Sequence, residues 1–416
     1  MFPECIECRG TKGMCNIQPC PLLAEVRGML PRLEPTSVGE ISGPSPPALF
    51  VGRFGYPEVR AGPSASWLPE EALAERDPTD GDPAALFGRP LEEVAARHAN
   101  LITGGRRMPV RSPDSPNEVL EATQVIAMSS RSVDVEMDFE RPISIGGSPT
   151  FDSMSTPLGP SGEVLRAEVV GHASIPRKVD SVAGESDLLA TEAAGELSGS
   201  GIGEAQISRL LSSGLLGREG SRKLVPTRWG ITATDDMLSK RLWRSVRDHP
   251  PLDKVLVFEA TYLDNRFHVI LTPGLWAFHM LEAWTRGSVW TESGKVLGDW
   301  EDLEPRSEYA NRVTGAYYSA RLAVLEYMDS IRRSGACLVW RDIGPGYWAP
   351  VGVWLIRETM REAMRARPRQ FDSLKEAIGY VAPRISAPND LRRSWFATRG
   401  KQTRLDSFFD AKPAME

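Results

Sequence analysis

The sequence predicts an α+β fold, because helical and strand patterns are mixed along it without a regular βαβ rhythm. Four of the five cysteines fall within residues 1–23, which hold too few apolar residues for a core of their own. The end of the chain is polar and basic. We therefore expect one large mixed core, a small N-terminal metal-binding module and a flexible C-terminal tail. The predicted parts are residues 1–23 for the module, 24–48 for a Pro/Gly-rich connector, 49–390 for the core and 391–416 for the tail.

The first regular patterns lie in the N-terminal half. Residues 89–99 have the spacing of a short helix, and residues 131–139 alternate between polar and apolar side chains, which is typical of a half-buried strand. Residues 204–216 return to helical spacing.

Three further patterns lie in the C-terminal half. Residues 254–272 are predicted to form a β-hairpin, in which Asp264-Asn265 favours the turn. The longest helical pattern covers residues 306–334, where apolar or aromatic side chains recur every three or four positions. Residues 372–381 are predicted to form a second amphipathic helix, with Asp372 as its N-cap.

Composition excludes several classes of protein. An apolar fraction of 41% and a charged fraction of 25% are typical of a soluble globular protein. The net charge of -6 argues against a protein that coats nucleic acid by bulk attraction, so any DNA contact needs a local basic patch. The chain has no apolar run of about 18 residues and no secretory signal at its start, so we expect a cytoplasmic protein without membrane contact.

The cysteine cluster has the spacing of a metal site. Its members follow the pattern C-x2-C-x6-C-x4-C: Cys5, Cys8, Cys15 and Cys20. Four thiolates suit a structural Zn²⁺, and metal binding would supply the folding energy that this short segment lacks. An iron–sulfur cluster is the alternative, because Pro21 follows the last cysteine as in ferredoxin sequences. The fifth cysteine, Cys337, lies in the apolar run ACLVW and is predicted to be a buried core residue.

A peptide near the C-terminus, QTRLDSFF, has the spacing Q-x-x-L-x-x-F-F. One tight helical turn places Leu405 and Phe408 on the same face, and Phe409 adds a second aromatic anchor. Gln402 can hydrogen-bond at the edge of an apolar pocket that the other three side chains fill. This pattern is that of a docking peptide for the sliding clamp PCNA. The alternative is a helix end that packs on its own domain.

Two groups of charged residues are weaker candidates. Asp134, Glu136 and Asp138 share one face of the predicted strand, where they could hold Mg²⁺ for phosphodiester chemistry. The alternative is that they form the solvent-exposed face of a half-buried strand. Basic residues that could contact DNA phosphates occur in two places, the wing of a predicted winged helix over 206–234 and the basic stretch 384–404. The residues are Arg218, Arg222 and Lys223 in the first, and Arg392 and Arg393 in the second. A core helix–hairpin and a solvated tail are the alternatives.

Two further patterns carry less information. His268, on a predicted strand, and His279, on a predicted short helix, have Glu259 and Glu282 nearby in sequence and could form an acid–base site. The run Trp340–Trp354 is rich in aromatic residues and glycines. It could stack unpaired bases, although aromatic packing in the core is the favoured interpretation.

Together with the cysteines and the terminal peptide, three long strings resemble the archaeal Nre family over nearly the whole chain. The strings are SPPALFVGRFGYPEVRAGP (45–63), SRKLVPTRWGITATDD (221–236) and YLDNRFHVILTPG (262–274). The resemblance implies an archaeal DNA-repair protein with a zinc-finger-like N-terminus. It also implies PCNA binding through the docking peptide, and it supplies no catalytic residues.

Three hypotheses about function remain open from the sequence. The first is a DNA-repair factor recruited by PCNA. The second is a metal-dependent enzyme acting on nucleic acid or nucleotide, with Asp134, Glu136 and Asp138 as candidate ligands. The third is an adaptor that joins the clamp to another protein and does not contact DNA.

Overall fold

The computed structural model describes residues 14–17, 36–67, 82–111, 113–145, 150–152, 155–288 and 294–399. Three predicted zinc ligands, Cys5, Cys8 and Cys20, lie outside the described residues, and Cys15 is half-buried with a free thiol. The docking peptide, with Gln402, Leu405, Phe408 and Phe409, also lies outside them.

The described residues form two six-stranded sheets, one small hairpin and a set of helices. The strands are β1 Thr36–Ser45, β2 Leu49–Val51, β3 Glu58–Ser66, β4 Leu101–Pro109, β5 Val133–Ile145, β6 Thr150–Asp152, β7 Ser155–Leu158, β8 Ser161–Val170, β9 Val255–Tyr262, β10 Asn265–Thr272, β11 Ala277–Trp284, β12 Val296–Asp302, β13 Ala336–Ile343 and β14 Arg369–Phe371. The helices are α1 Leu91–Ala99, α2 Glu118–Met128, α3 Arg177–Gly184, α4 Ala190–Gly199, α5 Glu204–Ser212, α6 Thr227–Val246, α7 Gly315–Ser330, α8 Trp354–Arg365, α9 Leu374–Val381, α10 Pro388–Arg393 and α11 Trp395–Thr398. The predicted α+β class is confirmed. Among the described residues, no helix is long and apolar enough to cross a bilayer.

The N-terminal sheet has the order β1-β5-β8-β4-β3-β2, and its neighbours are antiparallel except for β4 and β8. The alternation predicted over residues 131–139 is confirmed, because Val133, Val135 and Met137 on β5 are buried while the polar residues between them face outward. At Gly62 the backbones of β3 and β4 come so close that an added Cβ would lie 2.5 Å from the Gly104 carbonyl oxygen.

The C-terminal sheet has the order β12-β11-β13-β10-β9-β14, in which β11 and β13 are parallel. The predicted hairpin is confirmed as β9 and β10, with φ values of 47° and 54° at its turn residues Leu263 and Asp264. The predicted turn pair Asp264-Asn265 is wrong by one position, because Asn265 already pairs with Tyr262 as the first residue of β10. The central strand β13 is buried on both faces, which explains its continuous apolar run. Cys337 lies there with no exposed surface, so its predicted core position is confirmed.

Helices cover both faces of the C-terminal sheet. On one face, α7 and α8 pack over the large cluster that contains Phe267, Phe278 and Tyr317. On the other face, α9 and the short helices after it bury Leu391 and Phe396 against Ile270. The segment predicted as tail therefore begins inside this packed layer.

The sequence and the structure differ in several local assignments. Strand β1 lies in the segment predicted as connector, where it pairs with β5 from Thr36 to Ser45. The winged helix predicted over 206–234 is wrong in its second half, because the residues from Thr227 onward form helix α6 and not a strand of the wing. The N-cap of α9 is Ser373 rather than Asp372, since Ser373 Oγ accepts a hydrogen bond from the Glu376 backbone N–H at 3.2 Å.

Candidate nucleic-acid interface

Two of the long strings meet in space. The backbone N–H of Val51, at the end of β2, donates a hydrogen bond to Thr227 Oγ1 at the start of α6, at 2.9 Å. Beside this bond the Tyr56 and Trp229 rings lie 5.4 Å apart, centroid to centroid, at 53° to each other. The turn that follows β2 and the first turn of α6 thus form one continuous surface.

The turn between β2 and β3 presents an aromatic side chain to solvent. Phe54 is 81% exposed, and the Arg53 guanidinium lies 5.1 Å from its ring centroid. Gly55 has φ 85°, and a Cβ there would lie 2.9 Å from the Glu58 carbonyl oxygen and 3.3 Å from Arg107 Nη1. Only glycine fits this tight turn at low cost, and the turn holds Phe54 outward beside two guanidinium groups.

The first turn of α6 places a second aromatic side chain on the same surface. The helix begins after Pro226, whose carbonyl oxygen accepts a hydrogen bond from the Trp229 backbone N–H at 2.7 Å. Gly230 packs so closely on α5 that an added Cβ would lie 2.3 Å from Ser212 Oγ. With Gly230 turned toward α5, the neighbouring Trp229 side chain is 46% exposed.

The surface continues to the segment before α7. Thr232 on α6 and Arg228 one turn before it lie close enough to the Tyr309 hydroxyl to affect its ionisation. Burial of the phenol raises the pKa of Tyr309, an effect that Arg228 partly offsets. The Tyr309 ring stacks on Tyr318 at 5.7 Å, and the residue is 42% exposed. We call Phe54, Tyr56, Trp229 and Tyr309 together the aromatic surface.

Exposed cations lie on the chain segments that carry or adjoin the aromatic surface. The Leu224 backbone N–H donates a hydrogen bond to the Val110 carbonyl oxygen at 2.8 Å, which brings Lys223 beside Arg111. Exposed basic side chains of the neighbouring segments are Arg53, Arg107, Arg111, Lys223 and Arg312. Aromatic rings can stack on unpaired bases while arginine and lysine contact phosphates, so this arrangement has the chemistry of a single-stranded nucleic-acid site.

Two of the sequence-predicted wing residues hold the loop before α6. Arg222 Nη2 donates to the Glu185 carbonyl oxygen at 2.6 Å, and Arg218 Nε donates to the Asp187 carbonyl oxygen at 3.2 Å. Both guanidinium groups therefore brace the loop against the segment that follows α3. The third predicted residue, Lys223, is exposed in the same loop, four positions before the start of α6.

The remaining predicted DNA contacts, Arg392 and Arg393, are exposed on α10, a helix that packs on the C-terminal sheet. The structure therefore does not bring them together with the wing residues.

The three acidic residues of β5 lie on the outward face of the N-terminal sheet. In the register of the sheet, Glu136 lies opposite Glu168 of β8 and Asp138 lies opposite Arg166. Among the described residues, no three His, Cys, Asp or Glu side chains have the geometry of a metal site. The Mg²⁺ role of Asp134, Glu136 and Asp138 remains a prediction.

The predicted acid–base residues do not assemble around one point. His268 Nδ1 lies 3.0 Å from Glu259 Oε1, and burial lowers the pKa of His268. Glu282 bonds instead with Arg341 Nη1 at 2.5 Å. The prediction of a short helix at His279 is wrong, because that residue lies in β11, where burial lowers its pKa to about 4.

The aromatic run from Trp340 to Trp354 packs in the core. Trp340 is fully buried, and Tyr347 and Trp354 are 5% exposed each. The favoured interpretation of this run as core packing is confirmed. The aromatic run considered from the sequence as a base-stacking candidate is therefore buried. The exposed aromatic residues Phe54, Tyr56 and Trp229 were not predicted as candidates. A signal for these existed, since Phe54 and Tyr56 flank a glycine in a turn that also carries Arg53.

The sequence matches the two family models described as "Archaeal Nre, N-terminal", over residues 14–291, and "Archaeal Nre, C-terminal", over residues 301–408. The chain belongs to the archaeal Nre family. DNA repair protein NreA of Archaeoglobus fulgidus is 35% identical over 407 residues, covering 98% of each chain. NreB of the same organism, also named a DNA repair protein, is 35% identical over 97% of this chain and 100% of its own length.

A third Nre relative, DNA repair protein NreA of Haloferax volcanii, is 33% identical over 91% of each chain. No solved structure matches this Nre chain. The identification confirms the resemblance inferred from the three long strings, two of which form the aromatic surface. Both family segments contribute to that surface, since Phe54, Tyr56 and Trp229 lie in the first and Tyr309 in the second.

Proposed function

We propose that this Nre protein acts in DNA repair by binding unpaired DNA through the aromatic surface while it is docked on the sliding clamp PCNA. The observation that carries the DNA contact is the exposed Tyr56–Trp229 pair, flanked by Arg53 and Arg107. The relatives that are named DNA repair proteins support a role in DNA repair.

The charge distribution favours contact through a patch. With a net charge of -6 the whole chain is not attracted to DNA, so binding depends on the cations beside the exposed rings. Stacking on an aromatic ring is worth about 1–3 kcal/mol per base and tolerates any base sequence. A repair factor that meets varied damaged sequences would gain from such a mode of binding.

Docking on PCNA is assigned to the C-terminal peptide. Leu405, Phe408 and Phe409 would fill an apolar pocket of the clamp, and Gln402 would hydrogen-bond at its edge. PCNA encircles DNA, so the tether raises the effective concentration of the aromatic surface near the duplex. Weak contacts between the surface and DNA would then suffice.

The N-terminal cysteines are assigned a structural zinc ion. Cys5, Cys8, Cys15 and Cys20 are four thiolate donors, a set that fits tetrahedral Zn²⁺ and leaves no open position for catalysis. Cys15, which lies within the described residues, forms no disulfide among them. Metal analysis of the purified protein should give one zinc per chain, and Cys15→Ser should lower that occupancy. Iron with a visible absorption band would show the iron–sulfur alternative instead.

DNA binding is tested by fluorescence anisotropy with a short labelled oligonucleotide. Tyr56→Ala and Trp229→Ala should each weaken binding roughly five- to a hundredfold, the loss expected for one stacked base. Trp300→Ala is the matched control, because it removes an exposed indole at the opposite sheet and should leave affinity unchanged. Equal affinity of all four proteins would refute the aromatic surface as the DNA site. Absence of DNA binding by the unaltered chain would favour the adaptor hypothesis.

A further inference from the structure

A second exposed apolar group lies where the described chain ends. Arg399 Nη2 donates to the Leu275 carbonyl oxygen at 3.4 Å, and Arg399 Nη1 lies 3.9 Å from Asp302 Oδ1. The guanidinium also lies 5.5 Å from the Trp395 ring centroid. These three contacts fix the point from which the C-terminal peptide departs.

Four apolar side chains surround this point, and we call them the exit surface: Leu275, Trp300, Leu303 and Trp395. Leu275 is 71% exposed and Leu303 is 56% exposed. Trp300 stacks on Trp395 with ring centroids 4.3 Å apart. The Leu303 backbone N–H donates to the Trp276 carbonyl oxygen at 2.9 Å, which holds Leu303 next to Leu275. Contiguous exposed apolar groups of this kind are typical of interaction sites.

The backbone of Leu303 adds an independent observation. Its φ is 62°, a left-handed conformation that favours glycine or asparagine over a leucine. A leucine at such a position is unfavourable for local conformation, and most of its side chain is in solvent. Neither its backbone conformation nor burial among the described residues explains a leucine here, whereas contact with a partner would.

We infer that the exit surface is a second contact with PCNA, against the apolar rim of the pocket that takes the docking peptide. Gln402 lies three positions after Arg399, and an extended chain covers at most about 11 Å over that distance. A clamp that holds Gln402 must therefore lie against the surface around Arg399. Leu275 and Leu303 then bury their exposed area against the clamp and no longer face solvent.

This inference rests on the proposed docking on PCNA, and it adds an orientation to it. A flexible tether alone would let the folded part of the chain move freely around the clamp. Contact through the exit surface would fix the face of the C-terminal sheet that carries Trp300 and Trp395 against the ring. The DNA-contacting surface would then be held in one direction relative to the clamp axis.

The test uses the full chain and measures affinity for PCNA by calorimetry. The variant Leu275→Gln/Leu303→Asn removes both exposed leucines, and asparagine suits the left-handed backbone at 303, so folding should not suffer. We expect its Kd for PCNA to rise about tenfold. Leu165→Gln, an exposed leucine on the distant strand β8, is the matched control and should leave Kd unchanged.

The outcomes separate the two proposals. Loss of binding in Phe408→Ala/Phe409→Ala together with unchanged binding in the leucine variant would overturn the exit-surface contact and leave the docking peptide in place. Unchanged binding in the phenylalanine variant would overturn the docking proposal itself. Tighter binding in the leucine variant would show that the exit surface covers the chain's own peptide, and a changed oligomeric state at constant Kd would show a second copy there. Both results contradict the inference.

Discussion

Arg357 Nη1 donates a hydrogen bond to Asp235 Oδ1 at 2.5 Å, and both side chains are buried between α6 and α8. Glu204 on α5 and Arg361 on α8 extend the pair into a network. Burial raises the pKa of Asp235 to about 6, while the Arg357 charge opposes this shift. A carboxylate is costly to bury without a partner, and the Arg357 cation offsets this cost for Asp235 inside the helical layer.

Removing one member of this pair should be strongly destabilising. Arg357→Met leaves the Asp235 carboxylate buried without its cation, at an expected cost of about 3–5 kcal/mol in the free energy of unfolding. The double variant Asp235→Leu/Arg357→Met should lose much less than the sum of the two single changes. Urea denaturation of all four proteins measures the coupling, and strict additivity would contradict it.

His279 predicts a dependence of stability on pH. Burial lowers its pKa to about 4 in the folded chain, whereas an unfolded histidine titrates near 6.5. The unfolded state therefore binds more protons between these values, and stability is lost as the pH falls from about 6.5 to 4. Relative to His279→Gln, the unaltered chain should lose up to about 3 kcal/mol more over this window. Parallel stability curves for the two proteins would contradict the assignment.

The contact between β3 and β4 at Gly62 predicts that substitution by alanine destabilises the chain much more at Gly62 than at Gly39. Gly62→Ala places a Cβ 2.5 Å from the Gly104 carbonyl oxygen, so the strands must separate, at a cost of about 1–3 kcal/mol. Gly39→Ala, on β1, places its Cβ in open space and should change stability by less than about 0.5 kcal/mol. The midpoints of denaturant-induced unfolding measure both effects. Similar midpoints for the two variants would mean that the strands can move apart at little cost.

The arginine beside the turn predicts a change in salt dependence. If Arg107 contacts one phosphate of bound single-stranded DNA, Arg107→Gln should reduce the slope of log K against log salt by about 0.7. Arg106→Gln is the control, because Arg106 points to the other face of β4, where Nη1 reaches the Leu165 carbonyl oxygen at 3.5 Å. The slope comes from anisotropy titrations at several salt concentrations. Equal slopes for the two variants would remove Arg107 from the DNA site.

Local periodicity explains which parts of the fold could be predicted. The alternation of Val133, Val135 and Met137 and the hairpin around Asp264 depend on neighbouring residues, and both were predicted correctly. Strand β1 has little strand propensity of its own, and only its ladder with β5 makes it a strand. The run Ile231–Thr234 favours a strand locally, but packing of Gly230 and Leu238 makes it helical.

The candidate site was harder to predict because it depends on long-range contacts. Phe54 and Trp229 share a surface only because β2 docks on the start of α6 through the bond between Val51 and Thr227. Solvent exposure of a single aromatic residue leaves no periodic trace in the sequence. Burial of Trp340 was predictable by contrast, since it lies in a continuous apolar run.

The interleaved strand order of the C-terminal sheet bears on how this family can be divided. Strand β11, from the first family segment, lies between β13 of the second and β12, whose residues 296–302 span the start of the second segment at residue 301. Strands β10 and β9, also from the first segment, lie beyond β13. A cut between β11 and β12 would therefore leave two fragments that share four hydrogen-bonded ladders: β11–β12, β11–β13, β10–β13 and β9–β14. Co-expressed, such fragments should recover a native assembly as a split protein, whereas either one alone would aggregate through its open edges.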